Sequence, residues 1–162
     1  MMTQFDAGEI FTLAAQIERD GANLYQAAAK VATGQTKALL ERLAAMEADH
    51  ERTFIEMQEG LEHIDSHIQA GASDESLVYL RAKVQGKVFC NDVPTSALGG
   101  MCIEDILKNA IELEKDTIVF YQCLKEQIAT SVETARRIDT IIKQEIGHIL
   151  ELTKQLDAVK GK

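Results

Sequence analysis

The sequence predicts an all-α chain, a four-helix bundle made of two helical hairpins joined by a long crossover. Along four long stretches, apolar residues recur at steps of three and four, the spacing of a single helix face. Punctuation is sparse: one proline and ten glycines in 162 residues, with aromatics at 5% and no tryptophan, which favours aliphatic helix packing over a sheet. The first stretch also returns. Ile17-Glu18-Arg19-Asp20-Gly21-Ala22-Asn23-Leu24-Tyr25 has a counterpart 96 positions later, Leu113-Glu114-Lys115-Asp116-Thr117-Ile118-Val119-Phe120-Tyr121. A chain of this length, 46% apolar and 27% charged, is expected to form a single domain over residues 1–162 with a real core.

The first helix is predicted to begin at Asp6, which caps it, with Glu9 three residues on to answer and Phe5 and Ile10 placed as a hydrophobic staple. Its stripe is Ile10, Ala14, Ile17, Gly21, Leu24, Ala28 and Val31, and Thr33-Gly34-Gln35 ends it in a short turn that implies an antiparallel neighbour. The second helix starts at about Thr36, with the stripe Leu39, Leu43, Met46, His50, Phe54 and Met57. Its periodicity runs on through Leu61, Ile64 and Ile68 to Gly71, so Gly60 either ends the bundle part or bends a long helix. Residues 71 to 100 form the crossover. Leu77, Leu80, Val84 and Val88 suit a short amphipathic helix, and Pro94 and Gly99-Gly100 punctuate the remainder. Only Val84 to Phe89 reads at all like a strand, and glycine and lysine interrupt it. The third helix runs from about Ile103 to Ala129 on Ile103, Ile106, Ala110, Leu113, Thr117, Phe120 and Leu124. Thr130-Ser131-Val132-Glu133 reads as a capping box that opens the fourth, whose stripe is Ile138, Ile141, Glu145, His148, Leu152 and Val159.

Polar residues stand where this pattern asks for apolar ones. Phe11, Glu18 and Tyr25 share a heptad line, as do Leu107, Glu114 and Tyr121; Leu40, Glu47 and Phe54; and Ile138, Glu145 and Leu152. Each glutamate therefore points inward. His50 and His148 lie on their stripes and follow Glu47 and Glu145 by three positions, so each Glu-x-x-His pair aims both groups from one helix face. Glu145 lies 98 residues after Glu47, close to the 96 that separate Glu18 and Glu114. A difference in hairpin loop length is expected to account for the mismatch. Four buried carboxylates without compensation cost several kcal/mol per ion, and two divalent cations would balance them. The mixed oxygen and nitrogen donor set suits iron or manganese, admits zinc, and disfavours thiolate-preferring metals. The plain alternative, glutamates at a bundle margin paired with lysine or arginine, has few basic residues on these lines to draw on.

The net charge of −9 excludes nucleic acid as an expected partner, since phosphate binding needs a basic face. A solvated acidic surface is its ordinary meaning. No apolar run approaches the ~18 residues of a membrane span, and the N-terminal residues carry no basic and apolar leader pattern. Three widely spaced cysteines, Cys90, Cys102 and Cys123, suit reduced thiols, so a cytoplasmic protein is expected.

In Glu18-x-x-Gly21-x-x-x-Tyr25, Glu47-x-x-His50, Glu114-x-x-Thr117-x-x-x-Tyr121 and Glu145-x-x-His148, the chain resembles the rubrerythrin-like branch of the ferritin-like superfamily over nearly everything outside the crossover. The resemblance implies a ferritin-like four-helix bundle with two metal ions, iron above all, held by Glu18, Glu47, His50, Glu114, Glu145 and His148. It further implies that Tyr25 and Tyr121 hydrogen-bond ligand carboxylates across the bundle; read from the residues alone, both equally suit ordinary packing with a polar tip. The implied activity is that of a non-haem di-iron oxidoreductase acting on hydrogen peroxide or dioxygen, a role in oxidative stress, with a homodimer the favoured assembly. Rubrerythrins typically carry a C-terminal rubredoxin domain whose cysteines are missing from these residues, so an external electron donor is expected. They also tend to have a further glutamate one turn after the third-helix ligand, where this chain has Thr117.

Two other functions fit the same pattern: ferrous oxidation for iron handling or storage, in which case a large hollow shell is expected, and a helical binding module with a structural metal or none. His63 and His67 near Glu59 read as an exposed helix end, Asp20, Asp49, Glu51, Glu112 and Asp116 as solvated, and Met46 and Met57 as core filling. Cys123 reads as a helix-flank thiol, and Cys90 and Cys102 support no assignment.

Overall fold

The computed structural model describes residues 7–61, 75–84, 94–128 and 131–161, and nearly all of them are helical. The bundle consists of α1 (Ala7–Val31), α2 (Gly34–Leu61), α4 (Ile103–Ile128) and α5 (Val132–Lys160). Between the hairpins lie α3 (Glu75–Val84) and a 3-10 helix (Thr95–Gly100). Packing is closest within the hairpins, α1 on α2 and α4 on α5, and contacts of α1 with α4 and of α2 with α5 close the bundle. In the crossover, α3 lies against α4 and touches α1, while the 3-10 helix packs on α1 and inserts Leu98 into the core. The expectations placed on Phe5, Asp6, His63, Ile64, His67, Ile68, Val88, Cys90 and the strand-like segment fall outside the described residues, as do the ends of the third helix at Ala129 and of the box at Thr130.

The inward face of α1 is wider than its stripe. Ile10, Ala14, Leu24 and Ala28 are buried, but so is the neighbouring line of Phe11, Glu18 and Tyr25, because α1 meets α2 on one flank and α4 on the other. Val31, its last residue, is 48% exposed. The connection to α2 is only Ala32 and Thr33. Gly34 makes it that short: its φ of +57° lies in the left-handed region, where a Cβ costs ~1–2 kcal/mol. The helix thus resumes at Gly34, before the expected Thr36. It continues without a break through Gly60 to Leu61. At the second hairpin the cap is one residue later than the box predicts. Ser131 is the N-cap and its Oγ accepts the Thr134 backbone N–H at 3.0 Å, because α5 begins at Val132 and puts Thr134, not Glu133, at the third position. The two-residue offset between the repeats arises before the second helix of each hairpin: Glu47 lies thirteen residues after Gly34 and Glu145 thirteen after Val132, so the difference falls between Glu114 and Val132.

The core is split in two. One apolar group gathers Ile10, Phe11, Phe54, Phe120, Tyr121, Leu124 and Ile138, and the other gathers Tyr25, Leu40, Leu43, Leu107, Leu152 and Leu156. Between them, in chain position and in space, lies a layer of buried carboxylates and imidazoles.

Candidate metal centre

Each bundle helix sends one glutamate into that layer, and α2 and α5 add a histidine one turn later. Glu18, Glu47, Glu114, Glu145, His50 and His148 are all at most 4% exposed. The apolar groups above and below shut out water. Phe54 packs, with its ring tilted, against Tyr121 at 4.8 Å and Phe11 at 6.3 Å to floor one side. In such a place charges interact at low dielectric and must be matched.

The arrangement has an internal two-fold character that follows from the repeat. Glu145 places Oε1 2.9 Å from His50 Nδ1 and Oε2 2.8 Å from His148 Nδ1. Glu47 divides its oxygens in the same way, 3.7 Å from His50 Nδ1 and 3.0 Å from His148 Nδ1. Glu18 serves only the first imidazole, at 3.4 Å, and Glu114 only the second, at 3.3 Å. Two four-residue sets result, Glu18, Glu47, His50 and Glu145 on one side and Glu47, Glu114, Glu145 and His148 on the other, each with its donor atoms within 4.8 Å of one another. Glu47 and Glu145 belong to both. The rings of His50 and His148 lie nearly parallel with centroids 5.7 Å apart.

Tyrosines tie Glu18 and Glu114 across the hairpins. The Tyr25 hydroxyl donates to Glu114 Oε1, and the Tyr121 hydroxyl donates to Glu18 Oε1. Burial, with the adjoining carboxylates, pushes both phenols well up, so they remain donors. Every ion pair of the four glutamates among the described residues is to one of the two histidines; the lysines and arginines that form ion pairs there do so elsewhere, as Arg19 does with Glu51 at 2.6 Å and Arg137 with Glu56 at 2.5 Å.

The donor set fits a cation pair on one observation. Glu18 Oε2, Glu47 Oε1, both oxygens of Glu145 and Nδ1 of both histidines are buried and, among the described residues, lack a partner with hydrogen-bond geometry, although they crowd one another. Lone pairs aimed at a common point give this result, whereas a hydrogen-bonded network would not leave six such atoms orphaned. Without cations the cluster balances itself with protons. Burial pushes the Glu18 and Glu114 carboxyls well up. Burial also acts to raise Glu47 and Glu145, but the close approach of neighbouring polar groups outweighs it and holds both below the usual carboxylate range; for Glu47 the neighbouring carboxyl of Glu18 leads, for Glu145 the imidazole of His148. Burial disfavours charged imidazoles, yet the facing carboxylates win. His148 is pushed up to about 12 by Glu114, Glu145 and Glu47, and His50 is raised further by Glu145, Glu18 and Glu47.

Sequence reasoning missed Gln144, whose Oε1 lies 3.0 Å from His50 Nε2. It also missed a cleft of about 250 Å3 between α2 and α5, lined by Asp49, His50, Thr53, Arg137, Thr140 and Gln144 among others. Of the residues expected to be solvated, Asp20, Asp49 and Glu112 are exposed, while Glu51 and Asp116 are half-buried at the surface. Met57 is buried core and Met46 is half-buried at the cleft.

Fold and site together define a ferritin-like helical bundle with a buried carboxylate and histidine cluster. The sequence profile of the rubrerythrin family matches residues 9–90, more than half of the chain, and the chain belongs to that family. Among solved structures it resembles a ferritin-like diiron-carboxylate protein of Thermotoga maritima, with a TM-score of 0.69 and 22% identity, over 97% of this chain and 98% of that one. No curated protein matches. No helix among the described residues is long and apolar enough to cross a membrane.

Proposed function

We propose that this protein is a non-haem di-iron oxidoreductase of the rubrerythrin type, reducing hydrogen peroxide or dioxygen at a two-metal centre held by Glu18, Glu47, His50, Glu114, Glu145 and His148. The observation that carries the reading is the convergence of two donor sets that share Glu47 and Glu145, with their inward atoms buried and unpartnered. Family membership supports iron as the metal, as does the likeness to the Thermotoga protein, itself described as a diiron-carboxylate protein. Iron bound in pairs supplies two electrons at one place, the number that reduction of peroxide to water requires.

The chain's own part is orientation, charge and exclusion of water. Glu47 and Glu145 span both positions, and Glu18 and Glu114 each close one of them. Tyr25 and Tyr121 fix the terminal carboxylates by donating to one oxygen of each. The apolar groups on both sides keep bulk water from the layer. Electrons come from a donor outside the described chain, and Thr117, half-buried one turn after Glu114, brings no further carboxylate to the second position.

The test is anaerobic reconstitution with ferrous iron. We expect two ions per chain and oxidation by hydrogen peroxide much faster than that of free ferrous iron. Two ions with no acceleration would leave a metal-binding bundle without this activity. Sizing the same sample separates an oxidoreductase, for which we expect a small assembly such as a dimer, from storage, which needs a hollow shell.

A second expectation concerns protons. Burial favours the protonated form of Glu18 and Glu114, and the facing carboxylates favour that of His50 and His148; cations compete with those protons for the same atoms. Loading divalent ions should therefore release protons, and apparent affinity should fall as pH is lowered, because protons then compete for the same atoms. Indicator-dye titration in weak buffer measures the number. Release near zero would mean that the cluster is already deprotonated and not balanced as described.

A further inference from the structure

The internal repeat makes the two halves of the centre comparable residue by residue, since each position of α2 around Glu47 corresponds to one 98 residues later in α5 around Glu145. Glu47 matches Glu145 and His50 matches His148. The surroundings do not match. His50 turns Nε2 toward Oε1 of Gln144 at 3.0 Å. The counterpart of Gln144 is Met46, which has no acceptor oxygen on its side chain, and His148 Nε2 is buried with no hydrogen-bond partner among the described residues. The outer sides differ as well. Thr53 and Thr140 line the cleft beside His50, and the residues at the matching positions, Glu151 and Arg42, form an ion pair across α5 and α2.

We propose that Gln144 is a positioning residue that makes the two metal positions unequal, so that the His50 position binds its ion more tightly and fills first. This rests on the two-ion reading above. His50 Nδ1 faces Glu18, Glu47 and Glu145 and must be bare to bind a cation, which leaves the single proton of the neutral ring on Nε2. The Gln144 carbonyl accepts that proton's hydrogen bond, selecting the tautomer, fixing the ring plane and raising the basicity of Nδ1. His148 needs the same tautomer but has to bury its Nε2–H without an acceptor. The cost falls on the second position alone. Gln144 itself is exposed and reaches His50 from the cleft wall, so its replacement leaves the core packing intact.

The probe is Co(II), added to metal-free protein and followed by its visible absorption and by hyperfine-shifted proton resonances. For the wild-type protein we expect two unequal steps, with the first equivalent shifting the resonances of His50 and not those of His148. Gln144→Met copies the other half of the repeat. It should weaken the first step by about 10–100-fold, bring the two steps together, and let the His50 Nε2–H resonance exchange with solvent through the cleft. Gln144→Glu, which keeps an acceptor at the same reach, should retain the unequal steps and the protected N–H. Two equal steps in the wild type, first occupancy at His148, or unchanged affinity in Gln144→Met would overturn the proposal. Failure of the wild type to take up Co(II) at all would defeat the two-ion reading itself and is told apart by the absence of any absorption change.

Discussion

Glu145→Ala should strip the protein of both ions, while Glu18→Ala should leave one. The difference follows from how the carboxylates are shared. Glu145 is fully buried, and its two oxygens lie 2.9 and 2.8 Å from the inward nitrogens of the two histidines. Among the described residues no other side chain approaches both so evenly: Glu47 spans the same pair at 3.7 and 3.0 Å. Removing Glu145 takes a donor from each position at once and leaves three carboxylates to face a charge of +4, in a layer where uncompensated charge costs several kcal/mol. Removing Glu18 takes a donor only from the His50 side and leaves Glu47, Glu114, Glu145 and His148 complete. Elemental analysis of desalted protein at micromolar concentration should give about two, one and zero ions per chain for wild type, Glu18→Ala and Glu145→Ala, in the order of donors lost. Equal losses in the two variants would show that the carboxylates act as a diffuse charge and not as bridging and terminal donors.

What the amino-acid order made legible was whatever depended on one helix at a time. Glu18, Glu47, Glu114 and Glu145 betray themselves because each interrupts a heptad line of large apolar residues, and a line on a single helix needs no knowledge of its neighbours. The helical bundle and its family were legible for the same reason, with the repeat as the added clue. What escaped depended on relations between helices or on single-residue backbone geometry. Gln144 sits on the exposed flank of α5, and only the approach of α2 gives its carbonyl an imidazole to bind. The asymmetry was nevertheless written in the repeat, as Gln144 against Met46, and comparing the two halves position by position would have exposed it. The start of α5 was ambiguous because Thr130 and Ser131 are both capping residues, so the helix could open at either with little change in local energy. The start of α2 at Gly34 turns on a positive φ that any glycine permits and none announces.

Stripping the ions should lower the melting temperature more than any single substitution outside the centre. A ligand present at a thousand times its dissociation constant stabilises the folded state by ~4 kcal/mol, so two ions contribute ~8 kcal/mol in that regime. For a chain of this size each kcal/mol moves the midpoint by ~2–4 °C, and a chelator is expected to lower it by about 15–30 °C. Protons only partly replace the cations. Burial favours protons on Glu18 and Glu114, but Glu47 and Glu145 are held below the usual carboxylate range, with buried oxygens that lack a hydrogen-bond partner among the described residues. That residual burden can be separated from the ions. In a variant with the four glutamates and two histidines replaced by leucine, and Tyr25 and Tyr121 by phenylalanine so that no hydroxyl is orphaned, the layer is apolar throughout. Exchanging buried ionic groups for apolar ones of similar volume is often neutral or stabilising by ~1–4 kcal/mol. The variant should thus melt at or above the chelated wild type and ignore the chelator entirely. A wild-type midpoint that does not move when elemental analysis shows the ions gone would mean that the buried carboxylates are content without them, and the electrostatic case for a resident metal pair would fail with that measurement.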